Sequence, residues 1–228
     1  WLAEARAFDP AALAAVDRSS LELFIHGRAE AVAFQPFEGW RSMSLGAQGG
    51  FQTDLPELLR AMPMEHAAQV DKFLARLAAV PRRVDQELHW LKRGIALGWV
   101  PPQAVLQRVL EQIDEQLLAP PQSNPWLEAL QHMGPQIPPA TQAALRERAT
   151  EALRTQVLPA LQRLRDFVAG PYMAAAPADG ALSRYPDGAR VYRLVIAEHT
   201  TLPLSARQLH DIGLREVARL QREIEAAW

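Results

Sequence analysis

The strongest constraint on this 228-residue chain is a succession of apolar stripes at helical spacing, each bounded by proline or glycine. From Asp54 onward, Leu55, Leu58 and Leu59 predict a short helix ending near Met62-Pro63, and Val70, Phe73, Leu74 and Leu77 a second. Pro81 suits the first turn of a third helix, whose stripe is Val84, Leu88, Leu91 and Ile95. Gly98 closes it, and Pro101-Pro102 opens a fourth with Leu106, Val109, Ile113 and Leu117. Apolar residues three and four apart share one side of a helix and have to be covered. Short links between successive helices make them antiparallel neighbours. The expected fold is therefore all-α, a multi-helix bundle of antiparallel helices with one long irregular loop.

That loop is Phe34 to Thr53, where four glycines stand among Phe34, Phe37, Trp40 and Phe51. About 20 residues without regular structure inside a compact domain are usually functional or disordered, and these aromatics seek burial. An ordered loop along a cleft wall is the expectation. Gly49 and Gly50 would let backbone approach a ligand closely, or would make a tight turn at positive φ. Before the loop, Asp17 caps a helix carrying Leu21, Phe24, Ile25 and Val32. Beyond the bundle, the proline-rich stretch near 120–139 marks a sub-boundary within what otherwise reads as one helical portion, 1–228. The longest helix follows, about Ala140 to Ala169, with Leu145, Ala149, Leu153, Val157, Leu161, Leu164 and Val168 in phase. Pro159 predicts a kink in it, because the ring removes one N–H and crowds the carbonyl of Thr155. Gly170-Pro171 ends it.

Composition narrows the partners. A net charge of −2 gives no broad field for nucleic acid or anionic lipid. No run approaches the 18 or so apolar residues needed to span a bilayer. With no cysteine there is no disulfide framework and no thiolate nucleophile, so a zinc site would rest on histidine and carboxylate alone. The six histidines include no pair four apart on one helix and no His-Glu-x-x-His. Glu198-His199 and His210-Asp211 are the nearest approach to a cluster and read as solvated or capping groups, so no metal ligand is assigned. A Gly-x-Ser-x-Gly elbow is absent, and Gly46 to Gly50 lacks the lysine of a phosphate loop. Arg82-Arg83 and Lys92-Arg93 read as a solvated basic face, which a rim holding a peptide carboxylate would also resemble.

The C-terminal run carries the most organisation. Ser205 with Gln208 three residues later is a capping box, and Leu209, Gly213, Val217, Leu220 and Ile224 then form a stripe that needs a partner. Gly213 there costs roughly 1 kcal/mol of helix propensity, which points to a close backbone approach. No glycine or proline closes this helix before Trp228, so the chain is expected to be an internal piece of a longer protein. In this run stand Gly188, Tyr192, His199-Thr200-Thr201, Leu209-His210-Asp211-Ile212-Gly213-Leu214 and Glu216-Val217; upstream stands Leu91-Lys92-Arg93-Gly94-Ile95-Ala96-Leu97-Gly98-Trp99-Val100-Pro101. In order and spacing these resemble the bacterial family known as domain of unknown function 885. Val191, Gln208 and Ile224 depart from it, where tyrosine, glutamate and methionine are usual.

The resemblance implies a helical, zincin-like metallopeptidase whose His-Glu-x-x-Pro-Gly-His motif lies further along the polypeptide. Zinc is then expected in the parent protein and none in this chain. The partners implied are the remaining C-terminal catalytic half of the same polypeptide and a short peptide substrate, with a periplasmic or exported location, the alternative being cytoplasmic. Residues 189–197 fit a strand or a helix by pattern, and the resemblance favours helix. Tyr192, His199, Thr200, Thr201, Gly49 and Gly50 are the candidate substrate contacts, with Thr200-Thr201 equally readable as a cap and turn. The role expected is a non-catalytic wall of the peptide cleft; the alternative is a stand-alone helical scaffold without enzymatic activity. A chain separated from its other half is expected to self-associate through Val217, Leu220 and Ile224.

Overall fold

A computed structural model describes all residues, Trp1–Trp228. Ten α-helices follow one another and no strand forms: α1 Leu2–Arg6, α2 Ala15–Phe34, α3 Glu38–Ser42, α4 Phe51–Arg60, α5 Ala67–Leu97, α6 Gln103–Leu118, α7 Pro139–Ala152, α8 Leu158–Phe167, α9 Gly188–Thr200 and α10 Ala206–Ala227. The all-α expectation holds. No helix is long and apolar enough to cross a membrane. The chain divides into two compact units, one of residues Trp1–Trp40 with Ala181–Trp228, the other Arg41–Gly180.

The larger unit holds one continuous apolar core. Val70, Phe73, Leu77, Val84 and Leu91 of α5 meet Leu106, Val109 and Ile113 of α6 and Leu161 and Leu164 of α8, all fully or almost fully buried. Pro81 does not open a separate helix, contrary to the expectation, because α5 runs unbroken for 31 residues through it. One lost backbone bond is outweighed by burial that stays in phase on both sides, at Leu77, Val80 and Val84. Gly98, at φ 70° and ψ 25°, then ends α5.

The expected kink at Pro159 takes a particular form. Between α7 and α8 the backbone widens into a π-turn over Leu153–Val157, which contains Thr155, the residue whose carbonyl the proline ring would crowd. The stripe from Leu145 to Val168 stays buried through the distortion. The proline-rich stretch after α6 lies inside this unit. It carries a 3-10 segment, Pro125–His132, whose Trp126 is wholly buried and donates its indole N–H to Gln116 Oε1 at 2.8 Å.

The smaller unit is thinly cored. Its buried apolar side chains are Ala5, Phe37, Tyr185, Val191 and Ile196, and neither α2 nor α10 buries a single residue. Residues 189–197 are helical, as the resemblance implied, and the strand alternative fails. Asp17 does not cap α2; the helix starts at Ala15, and Asp17 sits in the first turn, where its charge favours the helix dipole. The capping box at α10 is present, with Gln208 N–H donating to Ser205 Oγ at 3.2 Å and Ser205 N–H to Gln208 Oε1 at 2.9 Å. Gly213 marks no close approach, however: a Cβ built there meets nothing within 4 Å. The irregular loop is also shorter than expected, since α3 forms within it and α4 begins at Phe51.

Candidate functional site

The candidate residues fall at two places, one in each unit. In the smaller unit, α9 is set by its first residues. Asp187 adopts φ 56° and Gly188 follows it, where a Cβ would lie 1.7 Å from the carbonyl oxygen of Leu182. Only glycine fits that contact. One turn on, Arg190 pairs with Asp187 at 3.2 Å and lies 5.1 Å from the centroid of the Phe37 ring, the distance of a cation–π contact. Arg190, Arg193 and Leu194 face Ala33, Pro36 and Phe37 across a shallow hollow of about 210 Å³.

Tyr192 and His199 stand seven residues apart on α9, two turns along one side, and both are exposed. They are free to meet a ligand. Thr200 is engaged by its own chain: its hydroxyl donates to the Ile196 carbonyl at 2.6 Å and accepts from Leu202 N–H at 3.2 Å. Thr201 ends the helix in the left-handed conformation, φ 57°, and its hydroxyl donates to the carbonyl of Thr200 at 2.6 Å. Those hydroxyls serve the turn into α10, the second reading of this pair.

In the larger unit, Gly49 and Gly50 belong to a tight turn closed by Gly46 N–H donating to the Gly49 carbonyl at 2.9 Å, with an isolated antiparallel bridge between Leu45 and Gly50. Gly50 has φ 132°, and a Cβ on it would stand 2.8 Å from the Ser44 carbonyl oxygen. The end of α3 lies close against α5: a Cβ on Gly94 would come within 2.7 Å of the Trp99 carbonyl oxygen and 3.0 Å of Ser42 Oγ. Two residues on, Ser44 donates its hydroxyl to Glu87 Oε1 on α5.

Glu87 is a carboxylate only 1% exposed, and its second oxygen pairs with Arg83 Nη2 at 3.2 Å. Burying a charge is costly unless it is paired and hydrogen-bonded, and Glu87 is both. The half-exposed guanidinium of Arg83 lies 5.7 Å from the Phe51 ring centroid. Together with Asp54, Leu55 and Leu58 of α4 and with Gly50, these groups line an open cleft of about 390 Å³. Sequence reasoning missed Ser44, Asp54 and Glu87. The one available signal was Arg83 four residues before Glu87, a spacing that pairs opposite charges on a helix.

Beside the cleft, side-chain amides tie the same turn to α6. Gln52 Nε2 donates to the Gly46 carbonyl at 2.8 Å and to Gln112 Oε1 at 3.0 Å, while Gln112 Nε2 donates to the Ala47 carbonyl at 2.9 Å. These bonds fix which way the Gln52 amide points and leave its buried Oε1 without a donor. No three histidine, aspartate or glutamate side chains are placed to hold a metal ion together. His199 belongs to no such group.

The family described as "Bacterial protein of unknown function (DUF885)" matches residues 1–228. The crystal structure of the "putative lipoprotein" from Colwellia psychrerythraea superposes with a TM-score of 0.73 at 18% identity, covering 78% of this chain and 31% of that one. At that identity the likeness shows the fold, and this chain spans under a third of the longer protein. No curated protein matches.

Proposed function

The chain belongs to the bacterial DUF885 family, and from that premise we propose that it is the non-catalytic helical part of a zinc-dependent metallopeptidase, walling the cleft in which a short peptide is held. The observation that carries this reading is the family match along the whole of 1–228, joined to an α9 that presents Tyr192 and His199 to solvent on one side. Zinc would be held by residues outside this chain, in a His-Glu-x-x-Pro-Gly-His motif of the remaining half. The work of this chain is shape: α9, with Tyr192 and His199 exposed on one side, offers a surface against which a peptide can lie. An exported location fits the description of the Colwellia protein as a lipoprotein.

The test compares the full gene product with this 228-residue chain for zinc content and chelator-sensitive peptide cleavage. The expected result is about one zinc per full-length chain, cleavage abolished by chelation, and neither property in the shorter chain. A full-length product that binds no zinc and cleaves no peptide overturns the reading. One observation favours a second reading, a helical scaffold that binds protein: α10 exposes Leu214, Val217, Leu220 and Ile224, each about half accessible. That reading predicts a stable complex with a separate protein and no hydrolysis by the full product.

A further inference from the structure

We propose that the cleft between α4 and α5 is a binding site for a small zwitterion with an apolar side chain, an amino acid or a short peptide of the leucine type. Two charges of opposite sign line it, Arg83 from α5 and Asp54 from the first turn of α4. Both oxygens of the buried Glu87 are occupied, one by the Ser44 hydroxyl and one by Arg83, so Glu87 anchors the guanidinium and takes no ligand itself. Arginine carries five N–H donors in a planar fork, and the contact with Glu87 through Nη2 leaves others for a carboxylate. Asp54 is exposed; one of its oxygens accepts from Thr53 Oγ1 at 3.2 Å, and the other can accept an ammonium group.

The charges select the ligand class. A simple anion drawn to Arg83 meets Asp54, and a simple cation drawn to Asp54 meets Arg83. A molecule with one charge of each sign satisfies both. The same cleft is lined by the apolar Phe51, Leu55 and Leu58, and Leu58 is 54% exposed. Such convergence of a few polar groups on an apolar concavity is the usual form of a small-molecule site. Gly50, at the cleft wall, admits no side chain, since a Cβ there would run into the Ser44 carbonyl and Gln52 Oε1.

The test is calorimetric titration of the chain with leucine and with leucyl-leucine, each beside two blocked probes, N-acetylleucine without the ammonium and leucinamide without the carboxylate. One zwitterion is expected to saturate a single site at millimolar concentration, with both blocked probes at least fivefold weaker. Which zwitterion binds tells a free amino acid from a peptide end. Asp54→Asn and Arg83→Gln should each weaken binding at least tenfold, and Leu58→Ser severalfold. Should Arg83→Gln fold poorly because Glu87 loses its cation, Asp54→Asn at an exposed position decides. Binding of neither zwitterion, equal binding of the blocked probes, or an unaltered Asp54→Asn overturns the proposal. Zinc and hydrolysis play no part in this readout, so its failure leaves the peptidase reading standing, and the reverse holds too.

Discussion

The two units differ in how they meet their hydrophobic residues. In Arg41–Gly180 the stripes of α5, α6 and α8 are covered, and nine residues of α5 are buried. In Trp1–Trp40 with Ala181–Trp228 the stripes are as regular but largely bare: α10 has a capping box, helical phase and an ion-paired polar face, yet buries nothing. Arg219 there pairs with Glu216 at 2.8 Å and with Glu223 at 2.7 Å, and both carboxylates hold the Arg219 guanidinium above its ordinary pKa. An amphipathic helix can thus be well specified by local sequence and still lack the surface that would cover it. In proteins most helical stability comes from packing of the apolar face, so the smaller unit is the weaker of the two.

The largest expected effect tests that asymmetry directly. Leu161→Ala, at a fully buried position of α8, should lower stability by roughly 2–5 kcal/mol in urea unfolding, whereas Val217→Ala, at a position 54% exposed, should change it by less than about 0.5 kcal/mol. Equal losses would mean that the α10 stripe is covered after all. Next in size is association. The bare stripe should drive self-association of the chain in sedimentation, and Val217→Glu with Ile224→Glu should return it to monomer with its unfolding midpoint unchanged. A wild-type chain that sediments as a clean monomer would remove that expectation.

Gly213→Ala sharpens the contrast at a smaller scale. With nothing within 4 Å of the added methyl, it should stabilise α10 by up to about 1 kcal/mol and raise helicity by circular dichroism. Gly50→Ala in the larger unit should do the opposite, because the new Cβ meets backbone at 2.8 Å at a positive φ. The smallest effect is electrostatic. The Arg60 hydrogen bond holds the exposed Glu57 carboxyl below its ordinary value on α4. Its folded pKa is depressed, so the stability it adds is present above the ordinary glutamate value of about 4.3 and is lost as pH falls through the lowered folded value. The difference in melting temperature between wild type and Arg60→Gln should therefore be small at neutral pH and vanish in acid, as suits an exposed pair.

Most of the helices were legible because helix formation reads neighbours three and four residues away. Ser205 with Gln208, Gly98 and the stripe from Leu145 to Val168 all carry their signal within a turn or two. The candidate sites were legible only in part. Gly50 announces a special backbone conformation, but nothing near it in sequence announces Glu87, which lies 43 residues from the Ser44 that bonds it. Thr200 and Thr201 are polar residues that could meet a ligand by sequence alone, and the structure shows their hydroxyls bonded to the adjoining backbone.

Local sequence settled the helical class, the end of α5 at Gly98 and the capping box of α10, since those depend on short-range hydrogen bonding and apolar phase. Tertiary contact decided the rest. Pro81 became an interior residue because the burial of Leu77, Val80 and Val84 outweighs one missing backbone bond. Pro159 was accommodated by a π-turn because the stripe on both sides had to stay in the core. The same physics separates α5 from α10. Periodicity states that a face must be covered, and only the packed chain shows whether anything covers it.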